Sequence, residues 1–382
     1  MECVRVAPCG LFYFRKNKFL LKKEIAKTYD TIILFITVGR NAGRWGTGTL
    51  KGLDFSRGLK IAVLGGMGQI GHTLCLMLKQ SPWFDEIAIQ DSVNPKGLAM
   101  ELNHIDTQNI VTSHEGHSGL KTALKGADIV MIVAGHTTEK YCPGSKDDLF
   151  TANCRTVYEL ARSCAVHCPK AFIAVCTNPV NSTLPITCEV FKRLNRFVDP
   201  CKMFGVTTLT VVRANTLVSE VIQVVPETVE VPIIGGHSPS TMVPVLSQAK
   251  PCAQLTTEEV VRITRALQTA GDEVQKAKNN QGTASLSMGF AATRFAVSLA
   301  KALSGQDNII ECAYLMSNII PELPYFATPV QLGPCGVQKN LGIPDLSSYE
   351  CCLLETAIPF LKRDIESGEN FIADVIKNKI IF

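Results

Sequence analysis

The chain has 382 residues, 46% hydrophobic and 19% charged, with a formal net charge of +4. That length allows two domains with buried cores, and the composition is that of an ordinary α/β globular protein. No run of 18 or more apolar residues occurs, so no transmembrane helix is expected. The charge is uneven: residues 1–58 hold eleven Lys or Arg against four Asp or Glu, and the remainder is mildly acidic. A mildly acidic body argues against nucleic acid as a partner. Fifteen cysteines, an odd number without CxxC or zinc-finger spacing, read as reduced, mostly buried thiols and not as a disulfide framework or metal site.

Residues 1–58 form a basic N-terminal extension containing FRKNKFLLKK and GRNAGRWGTGTLKG. Its basic, acid-poor character reads as a mitochondrial transit peptide. Serine is scarce and Glu2, Glu24 and Asp30 interrupt it, so a disordered extension or a mis-assigned start stays open. From Leu59 strands and helices alternate. LKIAVLGG (59–66), EIAIQD (86–91), ADIVMIVAG (127–135) and AFIAVCTNP (171–179) are short apolar runs read as strands. IGHTLCLMLKQS and KDDLFTANCRTVYELARSCAVHC (146–168) carry helical spacing. This alternation predicts right-handed βαβ crossovers, and hence a parallel sheet with helices on both faces over 59–203. After about Phe204 the pattern changes: a helix over TLTVVRANTLVSEVIQ, a strand over 229–236, then helices over 258–277, 289–304 and 348–368. A second, α+β domain over 204–382 is expected.

Gly65-Gly66-Met67-Gly68-Gln69-Ile70-Gly71 closes the first strand and opens the first helix, a G-x-x-G-x-x-G variant of the dinucleotide fingerprint. Glycines allow the tight turn and let backbone approach a pyrophosphate. The helix N-terminus turns free N–H groups and a positive dipole end toward it. Asp91, twenty residues beyond Gly71, ends the second strand where a carboxylate would accept the adenosine ribose hydroxyls. A carboxylate there repels a 2′-phosphate, so a Rossmann-type, doubly wound domain binding NAD in preference to NADP is expected.

GGMGQIG, DDLFTAN, TNPVNST, FGVTTL, VRANT, IGGH, ASLSMGFAATRF and KNLGI occur in this order over nearly everything after Leu59. Together they resemble the mitochondrial-type malate dehydrogenases of the lactate/malate dehydrogenase family. The resemblance implies a second domain that is catalytic, an NAD-dependent interconversion of malate and oxaloacetate, a place in the tricarboxylic acid cycle, the mitochondrial matrix (or else the cytoplasm) and a homodimer. It implies that His237 is the general acid/base that takes the 2-hydroxyl proton, and that Arg213 clamps the substrate's C1 carboxylate, a task suited to a guanidinium fork. Asn178 would lie near substrate and nicotinamide, and Asn153, Cys176, Thr177 and Met288 would line the cofactor.

The chain departs from that family's pattern where the chemistry is concentrated. Counting back from DDLF puts Lys146 and Lys140 in place of two substrate-binding arginines, in a segment two residues longer than the family's. Lysine keeps the charge but loses the planar fork. Thr210 stands where the family carries an aspartate that accepts the ring N–H of the catalytic histidine. Loss of that charge lowers a histidine pKa by about 1–3 units. Three outcomes follow: malate turnover, an impaired NAD-binding homologue with a structural or regulatory role, or turnover of another 2-hydroxy acid.

Overall fold

The structure, a computed structural model, describes residues 58–136, 146–195 and 198–377. The basic N-terminal extension lies outside them, except for Gly58. Arg57–Phe382 makes one compact unit built on an eleven-stranded sheet.

Six strands are parallel and come first in the chain: β1 (Lys60–Leu64), β2 (Glu86–Asp91), β3 (Ile110–Glu115), β4 (Ile129–Ile132), β5 (Phe172–Val175) and β6 (Met203–Val206). Their spatial order is β3-β2-β1-β4-β5-β6, the doubly wound order. The four central strands β1, β4, β5 and β6 are buried at every residue, as a parallel sheet covered on both faces requires. Alternation sorts them cleanly. Ala62, Leu64, Val130, Ile132, Ile173 and Val175 face one apolar layer, packed with helices α4 (Lys146–His167) and α5 (Val180–Asn195). Ile61, Val63, Ile129, Met131, Phe172 and Ala174 face the other, under α1 (Gln69–Lys79). Between β2 and β3 lies α2 (Lys96–Asn103), and between β3 and β4 lies α3 (Gly116–Leu124). The chain winds outward from β1 on one side and from β4 on the other, which leaves a crevice at the carboxyl ends of β1 and β4.

The second half begins with α6 (Thr208–Ile222) and joins the same sheet by antiparallel pairing. β9 (Ile309–Met316) pairs with β6 and with β10 (Tyr325–Gly333), which pairs in turn with β7 (Ile233–Gly235) and β11 (Gly336–Asn340). β7 also holds β8 (Met242–Pro244). Three helices complete the chain: α7 (Thr257–Ala277), α8 (Ser285–Leu303) and α9 (Ser348–Lys377). Strands β9 and β10 carry no motif of their own, and β11 shares only the first two residues of KNLGI.

Three expected boundaries move, for identifiable reasons. The helix expected from 289 starts at Ser285, with Gly289 inside it. A Cβ there would lie 2.6 Å from Thr73 Cβ, so this glycine serves the close packing of α8 on α1 and marks no helix end. The helix expected to stop at 368 runs on to Lys377, and Gly368 likewise lets α9 lie against the Ser182 backbone, where a Cβ would stand 3.1 Å from the carbonyl carbon. The strand expected over 229–236 shortens to three residues, because Pro232 has no N–H to give the ladder. Among the described residues no helix is long and apolar enough to cross a membrane, and no group of three His, Cys, Asp or Glu side chains could hold a metal ion. The twelve described cysteines are all free, and seven are buried.

Candidate active site

The glycine loop sits in the crevice. The Gly65 and Gly66 N–H groups both donate to Gln90 O, at 2.8 and 3.2 Å, which ties the end of β1 to the end of β2. Gly65 adopts φ +99°, and a side chain there would collide with the backbone of Ala134 after β4. At Gly66 a Cβ would run into Ile89, and at Gly71 it would stand 2.6 Å from Gly66 Cα. These three positions therefore exclude any side chain for steric reasons alone. Gly68 is the N-cap of α1, in extended conformation and with no side chain capping the helix, so the first turn's N–H groups face the crevice unshielded by the protein's own side chains. Gln69 is exposed, with Met67 and Ile70 half-buried beside it.

Asp91 reaches back to this loop. Its Oδ2 accepts the Met67 N–H at 2.8 Å, and its Oδ1 accepts the Val93 N–H at 3.1 Å and the Ser92 hydroxyl at 3.2 Å. The carboxylate is oriented by backbone yet half-exposed, and Oδ2, with one donor, keeps acceptor capacity for a ligand hydroxyl. A cradle that a Cβ would fill, an uncapped helix end and a fixed carboxylate fit a dinucleotide pyrophosphate and ribose.

The far wall of the crevice is tied together by polar side chains. Thr177 Oγ1 donates to Ala134 O at 2.7 Å. Asn153 Oδ1 accepts the His136 N–H at 2.6 Å, and its Nδ2 donates to Asn178 O at 3.0 Å. Asn178 is exposed beside the cis bond to Pro179. Cys176 and Met288 are buried in the apolar layer that also contains Leu74 and Val206. Burial pushes the Cys176 thiol well above the usual thiol range.

The third cluster joins α6 to the loop after β7. Thr210 and Arg213 lie one helical turn apart on α6, and Thr210 Oγ1 is 3.4 Å from His237 Nδ1. At that length the contact is weak. His237 is half-buried, and burial, reinforced by the positive charge of Arg213, lowers its pKa to about 4. Arg213 Nη2 is buried with no hydrogen-bond partner, and burial lowers the guanidinium's pKa as well. An orphaned guanidinium nitrogen beside a neutral imidazole is complementary to a carboxylate next to a hydroxyl or carbonyl carbon. The His237 N–H itself donates to Asn181 Oδ1 at 2.8 Å. Asn181 lies within TNPVNST, and nothing in the sequence alone points to this role.

The fold thus brings Thr210, Arg213 and His237 together at one end of the crevice, and Gly65–Gly71 and Asp91 at the other. Lys146 is the first residue of α4, and Lys140 lies outside the described residues.

Comparison with known proteins bears on the family and the fold. The family model described as "lactate/malate dehydrogenase, NAD binding domain" matches residues 59–205, and "lactate/malate dehydrogenase, alpha/beta C-terminal domain" matches residues 207–372. The chain is 44% identical over 314 residues to the mitochondrial malate dehydrogenase of Homo sapiens, covering 82% of this chain and 91% of that one. It is 43% identical over 317 residues to the enzyme of the same name from Felis catus, covering 83% and 92%. Among solved structures, the malate dehydrogenase of Cryptosporidium parvum superposes with a TM-score of 0.70 at 22% identity, covering 82% of this chain and all of that one.

Proposed function

The chain belongs to the lactate/malate dehydrogenase family, and from that premise we propose that it is an NAD-dependent malate dehydrogenase. The observation that carries the reading is the unpartnered, buried guanidinium nitrogen of Arg213 beside His237, in a chain so similar to malate dehydrogenases. Residues 59–203 serve as the NAD-binding domain and 204–382 as the substrate domain. Bound NAD supplies the hydride acceptor. Gly65–Gly71 and Asp91 hold its pyrophosphate and adenosine ribose, and the wall of Asn153, Cys176, Thr177, Asn178 and Met288 lines the nicotinamide side.

Arg213 fixes the C1 carboxylate of malate and so sets the C2 hydroxyl at His237. The neutral imidazole takes the hydroxyl proton as the C–H bond to C2 breaks, and in reverse the imidazolium returns it to the carbonyl oxygen. Lys140 attracts the second carboxylate and Lys146 polarises the carbonyl, each by charge alone and with less directional recognition than a guanidinium would give. Purified protein mixed with malate and NAD should form NADH. Protein that binds NAD but forms no NADH refutes the reading.

Thr210 favours a second reading, a catalytically impaired, NAD-binding homologue. It offers His237 a hydroxyl and no charge, and a base whose pKa is about 4 is a weak acceptor for an alcohol proton. Names of the relatives support placement in the mitochondrial matrix. A homodimer is the assembly we expect. The exposed side chains Phe290, Ile310 and Leu341 line a groove of about 670 Å3, and Leu286 and Leu76 expose further apolar surface on the adjoining helices α8 and α1.

A further inference from the structure

His237 is held chiefly through its backbone. Its ring meets the Thr210 hydroxyl at a long 3.4 Å, whereas its N–H makes a 2.8 Å bond to Asn181 Oδ1. What orients Asn181 therefore orients His237. Asn181 is 1% exposed and stands at the N-terminus of α5. Its Nδ2 donates to Asp364 Oδ2 at 3.0 Å and to Thr241 Oγ1 at 3.1 Å, and its backbone carbonyl accepts the Tyr314 hydroxyl at 3.3 Å. An amide whose N–H groups meet a carboxylate cannot flip, because the flip would set its carbonyl oxygen against a negative charge.

We propose that Asp364, on the C-terminal helix and 183 residues from Asn181, is a positioning residue for His237, acting through the Asn181 side chain. The packing around it points the same way. Ser182 Oγ donates to the Asp364 backbone carbonyl at 2.6 Å, and Gly368, one turn further on, brings α9 against the Ser182 backbone. Leu361, three residues before Asp364, closes over Gly236: a Cβ on Gly236 would lie 2.6 Å from the leucine methyl, 2.7 Å from Asn181 Oδ1 and 2.7 Å from Thr241 Oγ1. One face of α9 thus clamps the residue immediately before His237. A purely electrostatic surface role fits poorly, since among the described residues Asp364 pairs only with the well-exposed Arg363, at a loose 3.7 Å.

The proposal rests on reading His237 as the acid/base, and it is tested on the full chain with D364A, D364N and, as a control, E366Q on the exposed side of the same helix. D364A should lower kcat for malate oxidation about 10- to 100-fold while moving KM less than about twofold, because imidazole geometry is lost and carboxylate binding is not. D364N keeps an oxygen for Asn181 Nδ2 and should return kcat to within about threefold of the wild type, with E366Q unchanged. Independently of turnover, exchange of the His237 amide hydrogen should quicken about tenfold or more in D364A and not in D364N. Wild-type kcat and exchange in D364A overturn the proposal. So does a loss that D364N fails to rescue and that falls on KM, kcat and Tm together. If the wild type turns over no malate, the proposed function fails, and the His237 exchange alone decides: faster in D364A supports the positioning role, unchanged overturns it.

Discussion

Thr210→Asp puts a carboxylate 3.4 Å or closer to the ring nitrogen of His237, which now meets a hydroxyl there. The imidazole pKa is about 4, so at pH 7 about one protein in a thousand carries the proton needed to reduce oxaloacetate. An opposite charge at hydrogen-bond range raises a pKa by about 1–3 units, which would bring His237 to roughly pH 5–7. The imidazolium fraction at pH 7 then rises about 10- to 500-fold, and oxaloacetate reduction at low substrate should rise in proportion. Malate oxidation tells the opposite half. Its acidic limb, which reports protonation of the base, should move up from near pH 4 by the same interval, with faster turnover on the plateau. The assay is kcat/KM against pH in both directions for wild type and variant, since that ratio reports the protein before the second substrate binds. Variant and wild-type profiles that superimpose refute this account of Thr210. A wild-type acidic limb already near pH 6 or above refutes the burial-driven depression of His237.

Other perturbations reach separate parts of the site. In Arg213→Met the orphaned Nη2 is removed, so the protein should gain about 1–2 kcal/mol in urea unfolding while malate binding falls at least about a hundredfold. Wild-type KM in that variant removes Arg213 from the site. Stability should also fall with acid in a defined window. The His237 pKa is below its usual 6.5 in the fold, so between pH 6.5 and about 4 the unfolded chain binds a proton that the folded chain does not. Stability is therefore full above pH 6.5 and drops by at most roughly 3 kcal/mol toward pH 4, and His237→Gln should flatten that part of the curve. An equal slope in the variant shows that other groups cause it. Gly66→Ala drives a methyl into Ile89 and should lower stability by about 1–3 kcal/mol and weaken NAD binding, read by calorimetry. Asp91→Ser removes the charge at the ribose end and should narrow the preference for NAD over NADP, measured as the ratio of the two binding constants.

How much of this was legible in the chain depends on how local the cause is. The dinucleotide loop was readable residue by residue, because Gly65, Gly66, Gly71 and Asp91 lie within 27 residues of one strand–helix–strand unit, although the contact that bars a side chain at Gly65 comes from Ala134 after β4. The same locality misled at Gly289 and Gly368, read as helix boundaries. Both are interior glycines whose missing side chains serve helices distant in sequence, Thr73 on α1 and Ser182 on α5. Strands β9 and β10 leave no signal in the sequence, since antiparallel pairing to β6 and β7 is a property of partners and leaves no motif of its own.

The catalytic end divides the same way. Residue type alone determined that a histidine, an arginine and a threonine stand at 237, 213 and 210, and hence which charges are available. Only the tertiary structure decided that Arg213 Nη2 is buried without a partner, that Thr210 lies a long 3.4 Å from the imidazole, and that His237 is desolvated beside a positive charge. It alone brought Asp364 to Asn181 across half the chain. Desolvation and hydrogen-bond length depend on what the whole sheet and its helices exclude from a point in space, and no short stretch of sequence contains that information.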